Sequence, residues 1–110
     1  MELMEYMDFK EILKIIGKAG KGQETVDIYY PKTEKRAAGW REVEPYSIAT
    51  DIGEEGEHIV FGKEIVTPGH IFNAYTIGSR KRSCNSFILG KIKKAKLTGK
   101  KFNPRWPVEF

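Results

Sequence analysis

The chain of 110 residues has one cysteine, two histidines and no long apolar run. Cys84 has no second cysteine to pair with, which excludes an internal disulfide and fits a reducing, cytoplasmic compartment. His58 and His70 show no His-x-x-x-His spacing and Cys84 no Cys-x-x-Cys, so no metal and no other cofactor is expected. No apolar stretch approaches the roughly 18 residues that a membrane span needs, so no membrane partner is expected. The first residues carry Glu2, Glu5 and Asp8 where a secretion signal would be basic. A further absence is sharper. From residue 65 to residue 108 there is no carboxylate at all.

That gap divides the charge. Residues 1–64 hold nine Lys/Arg against fourteen Asp/Glu, for −5; residues 65–108 hold ten Lys/Arg and no acid, for +10. Such a stretch projects positive potential toward nucleic acid, a nucleotide or an acidic protein surface. The plainer reading is a solvated face that keeps the protein soluble. The apolar fraction of 40% and aromatic fraction of 12% suit one folded domain with a modest core.

Along the chain, residues 1–23 read as a leader, a short helix and a Gly-rich connector. Asp8 and Glu11 form a capping-box pattern, Met7 can staple onto Ile12, and Phe9, Ile12, Leu13 and Ile16 recur with helical period. Gly17 and Gly20 are expected to end this helix after about nine residues. The run Gly17-Lys18-Ala19-Gly20-Lys21-Gly22 is no phosphate loop: Gln23 follows where Lys-Ser/Thr would be needed, and a helix precedes it instead of a strand.

Residues 24–110 read as strands. Val26, Ile28 and Tyr30 alternate on one face of the first, which Pro31 stops. Trp40 to Ala49 is the second, with Pro45 restricting it to an edge or a bend. An acidic turn over 51–57 leads to a short strand from His58 to Phe61, and Thr67-Pro68-Gly69 turns into a strand from His70 to Ile77. A basic loop over 78–82 follows. Asn85 to Ile92 alternates with Phe87 and Leu89 together, then slips by one residue before Ala95 and Leu97, as at a bulge or bend. Thr98-Gly99-Lys100 reads as a turn, and the tail 103–110, with Pro104, Trp106 and Pro107, as an extended strap. One short helix and five or six short strands predict a mainly β protein, a small, strongly bent antiparallel barrel.

The order of these pieces resembles the WYL domain family. The residues that carry the resemblance are Val26-Asp27-Ile28-Tyr29-Tyr30, Arg41-Glu42-Val43-Glu44-Pro45-Tyr46-Ser47-Ile48, Ala74-Tyr75, Phe87-Ile88-Leu89-Gly90-Lys91-Ile92 and Phe102, over roughly residues 24–108. The family's Trp-Tyr-Leu falls on His70-Ile71-Phe72. In its Phe-Arg-Leu-Asp-Arg-Ile strand the arginines fall on Ile88 and Lys91 and the acid on Gly90. The resemblance implies an SH3/Sm-like β-barrel. It also implies a regulatory role, as in bacterial transcription regulators and phage-defence systems, where these domains sense nucleic acid or nucleotide ligands.

The candidate contacts to such a ligand are Arg41, Arg80, Arg82 and Lys91. His70 is a further pocket residue, and Lys81, Lys93 and Lys96 add charge. The expected partner is single-stranded nucleic acid or a nucleotide-type anion. The alternative is a protein partner or a homodimer formed through the barrel edge or the aromatic tail. Trp40 and Trp106 fit packing or stacking. Cys84 lacks a base and an oxyanion site nearby in sequence, and no catalytic constellation assembles, so a binding module is expected and not an enzyme.

Overall fold

The computed structural model describes residues 7–34, 36–49, 59–61, 64–78 and 84–110, with the backbone alone for 59–61, 64 and 65. The expected acidic turn over 51–57 and most of the basic loop over 78–82 lie outside the described residues.

Helix α1 runs Phe9–Gly22. It starts after Asp8, whose extended backbone places it at the N-cap, although its side chain makes no capping bond. Ile12, Leu13, Ile16 and Ala19 are buried along one face, as the period predicts. The helix is longer than its glycines suggest. Gly17 and Gly20 do not end it, and the expected flexible connector is its last part. Both glycines are buried, and a Cβ on Gly20 would collide with the Phe110 ring. A missing side chain at that position is a packing requirement, and packing outweighs the roughly 1 kcal/mol that glycine costs within a helix. The helix stops at Gln23, whose left-handed backbone returns N–H bonds to the carbonyls of Ala19 and Gly20.

The strands are β1 (Glu24–Tyr30), β2 (Gly39–Ala49), β3 (Ile59–Phe61), β4 (Glu64–Val66), β5 (Ile71–Thr76), β6 (Asn85–Ile88) and β7 (Lys94–Lys101). Five form one antiparallel sheet in the order β6-β5-β2-β1-β7. β3 and β4 form a separate hairpin, in which β4 is a strand that the sequence pattern does not announce. The protein is thus mainly β with one helix, consistent with a small barrel.

The bend is visible in the connection between the two sheet edges. β6 and β7 are the outermost strands, yet only a 3-10 turn, Leu89–Lys91, and two further residues join them. In a flat sheet those edges would stand about 19 Å apart, further than so tight a turn spans at about 2 Å per residue. The sheet curls, and Tyr30 of β1 reaches across to β6: its hydroxyl accepts the Ile88 N–H at 3.0 Å. The slip after Ile92 is therefore a corner between two strands. Inside the curl Val26, Ile28, Val43, Phe72, Ala74, Phe87, Leu89, Ile92 and Ala95 meet the helix in one core.

Two irregularities shape the sheet. β2 is the central strand, so Pro45 is not at an edge; it sits at a bulge. Pro45 faces Ala74 and Ser47 faces Asn73, which leaves Tyr46 as the extra residue, its carbonyl accepting the Glu109 N–H at 2.7 Å. Thr98-Gly99-Lys100 is likewise a bulge inside β7 and not a turn. Gly99 takes a left-handed φ of 78°, and the register jumps from Leu97 opposite Val26 to Lys101 opposite Glu24.

Candidate anion-binding site

Arg41 is the residue to which the interior chemistry leads. Strand alternation places it beside Val43 on the inward face of β2, opposite Ile28. It is only 5% exposed. Its guanidinium carbon lies 5.2 Å from the Tyr30 ring centre and 5.9 Å from that of Phe87. These two rings meet edge to face at 5.1 Å. Nη2 donates to the Ala37 carbonyl at 3.4 Å, and Nε is buried with no hydrogen-bond partner among the described residues. No carboxylate among them pairs with this cation.

The surroundings penalise the charge. Burial pulls the Arg41 pKa down, and the nearby positive charge of Arg36 pulls it further; Tyr30 opposes both. A guanidinium stays protonated despite such a shift. Among the described residues the fold therefore holds a buried, charged and incompletely hydrogen-bonded group, a state that costs several kcal/mol unless a counter-charge meets it. Aromatic faces recover part of that. An oxyanion would supply the rest by accepting from Nε and neutralising the pair of arginines.

The other candidates are dispersed. Arg80, Lys81 and Arg82 lie outside the described residues; the chain leaves Gly78 and re-enters at Cys84. That exit is at Arg41's end of the sheet, since the Ile77 N–H donates to the Glu42 carbonyl at 3.0 Å. His70 is at the other end of β5, roughly 20 Å away along the strand. Its Nδ1 accepts from the Thr67 N–H at 3.0 Å and meets the Thr67 hydroxyl at 2.9 Å, so the imidazole braces the Thr67-Pro68-Gly69 turn. Lys91 is exposed on the 3-10 turn at that same end, beside Gly90, which packs against Pro68 so closely that a Cβ would lie 2.7 Å from the proline's own. The acid of the family motif does not fit there. Lys93 lies where β1 and the start of the helix meet; its N–H donates to the Tyr29 carbonyl and its carbonyl accepts from Met7.

Lys96 is exposed on the outer face, directly opposite Asp27, with its ammonium 4.9 Å above the Trp40 ring centre. Trp40 is 43% exposed and Tyr29 meets it edge to face, so this tryptophan belongs to the surface and not the core. Further along β7, Lys100 pairs with Glu42 at 3.7 Å and Lys101 with Glu24 at 4.0 Å. The basic and acidic halves of the sequence are thus interleaved by strand pairing, and β7 presents no continuous row of uncompensated lysines. Pairs this exposed contribute little stability, but they occupy the charges.

Cys84 is half-buried; burial first and Glu44 second push its thiol pKa up, the opposite of thiolate activation. His58 lies outside the described residues, and among the described residues no cluster of three His, Cys, Asp or Glu side chains could hold a metal ion. Nor is any described helix long and apolar enough to cross a membrane.

Arg36 is the residue that sequence reasoning missed. It sits in the polar loop before β2, where the Arg36 carbonyl accepts from the Thr33 N–H at 2.8 Å. Nothing but its charge could have singled it out. No protein-family model matches this chain, and no curated protein matches it.

Proposed function

We propose that this protein is a regulatory ligand-binding module of the WYL type, and that it takes an anionic ligand, nucleic acid or a nucleotide, at Arg41. The observation that carries this reading is a buried guanidinium with an orphaned Nε and no described acid beside it. A structural arginine in a core is ordinarily paired. This one is lined by aromatic rings and accompanied by a second arginine, which is the chemistry of a phosphate or carboxylate receptor. The resemblance supports the same reading, because Tyr30, Arg41 and Phe87 come from three separate motif segments and meet around one cation.

The test is a titration of labelled single-stranded RNA, single-stranded DNA, duplex DNA and mononucleotides into the wild type and Arg41→Met, at two salt concentrations. Binding by the wild type that Arg41→Met loses supports the reading. A steep salt dependence would indicate a phosphate backbone, and a shallow one a single anionic group. Equal binding by both proteins, or none by either, overturns it.

A further inference from the structure

A second constellation lies on the opposite face of β2 and is already occupied. Glu44 and Tyr46 of β2 and Tyr75 of β5 surround two residues of the segment that follows β7, Arg105 and Trp106. The Arg105 Nε donates to Glu44 Oε1 at 3.2 Å, and its guanidinium carbon lies 4.2 Å above the Tyr75 ring. The Arg105 backbone N–H donates to the Tyr46 hydroxyl at 3.0 Å, which in turn donates to Glu44 Oε1 at 2.6 Å. Trp106 stands edge to face on Tyr46 at 5.2 Å and tilted on Tyr75 at 6.1 Å. Glu44, Tyr46 and Tyr75 are all buried, whereas residues 103–107 are exposed while seated on them.

This has the composition of a peptide-recognition site. A buried carboxylate reads an arginine, two tyrosine rings clasp a cation and an indole, and a phenol hydroxyl captures a backbone N–H. The bound residues lie between Pro104 and Pro107, which restrict the backbone to extended forms and lower the ordering cost of docking. Phe102 is held in place, its N–H donating to the Gln23 carbonyl at 3.0 Å and its ring meeting Tyr46 edge to face at 5.7 Å, so Asn103 and Pro104 form the link about which the segment leaves.

We propose that the Glu44–Tyr46–Tyr75 face is a receptor for an extended Arg-Trp segment, and that a second copy of this chain supplies that segment by exchange. The second copy is the occupant because its segment is the one shown to fit. In a single chain the segment's own effective concentration, on the order of millimolar, holds it in place. Exchange gives each receptor the same contacts in trans, so it requires no new surface.

The test removes the cis competitor. One full-length variant carries Glu44→Gln with Tyr75→Ala and keeps the segment; the other carries Arg105→Ala with Trp106→Ala and keeps the receptor. Circular dichroism and a cooperative melt establish that each is folded. If the double receptor variant does not fold, Glu44→Gln alone replaces it. Each variant by itself carries only one intact half of the contact and is expected to sediment as a monomer at about 0.1 mM, and the mixture is expected to form a one-to-one heterodimer. A mixture that stays monomeric overturns the proposal. Capture of a labelled peptide of residues 102–110 by the second variant, without a heterodimer, also overturns exchange and leaves the face a seat for the chain's own segment in cis. Arg41 is intact in both variants, so this outcome is separate from that of the anion titration.

Discussion

Two arginines on opposite faces of one strand are treated in opposite ways. Arg41 is buried among Tyr30 and Phe87 and has no described acid partner. Arg105 is half-exposed, and yet it is bonded to a buried carboxylate, stacked on a tyrosine and raised in pKa, chiefly by its hydrogen bond to Glu44. A fold that needed only stability would do the reverse. The pairing of Arg105 satisfies Glu44 within the fold. The isolation of Arg41 among the described residues brings the folded chain no such return, and the proposed anion site rests on that contrast.

The comparison can be broken most directly at Arg41. Arg41→Met should reduce affinity for the anionic ligand by at least tenfold, as titration would show. It should also raise stability by about 1–3 kcal/mol, because an apolar side chain of similar volume replaces a buried charge that has no acid partner among the described residues. Chemical denaturation measures that gain; a loss of stability would mean that Arg41 is satisfied within the fold. Arg105→Met should do the opposite. Its removal leaves Glu44 without its ion pair and should lower stability, as chemical denaturation would show, with ligand affinity unchanged.

Alkaline pH sharpens the contrast further. Burial, with Glu44 as a further cause, pushes the Tyr46 hydroxyl up to about 12. The folded state therefore holds this proton more tightly than the unfolded chain, whose tyrosine titrates near 10. The stability this contributes is complete below pH 10 and is lost as pH rises toward 12. A thermal-midpoint series from pH 9 upward should fall over that window, and Tyr46→Phe should flatten the fall. The smallest effect is expected on the outer face. Lys100→Gln breaks a pair with Glu42 at 3.7 Å and should change stability by no more than about 0.5 kcal/mol. A larger change would show that the interleaved charges matter to the fold.

Local chemistry alone determined much of the architecture. The alternation of Val26, Ile28 and Tyr30, the helical spacing of Ile12, Leu13 and Ile16 and the Thr67-Pro68-Gly69 turn are legible because each reflects a short-range periodicity or a backbone restriction. Arg41 was also legible as a candidate, through its place in a motif. What the sequence could not show was anything that depends on which strands become neighbours. Gly17 and Gly20 read as helix stops until Phe110, ninety residues beyond Gly20, is found against the second of them. Pro45 reads as marking an edge or a bend, and only the strand order decides between them, placing it at a bulge in the central strand. The acidic and basic halves read as separate fields until β7 lies down beside β1 and sets Lys96 opposite Asp27. Charge, like hydrogen bonding, acts between neighbours in space, so only the tertiary structure decided which cations are neutralised and left Arg41 without a described partner.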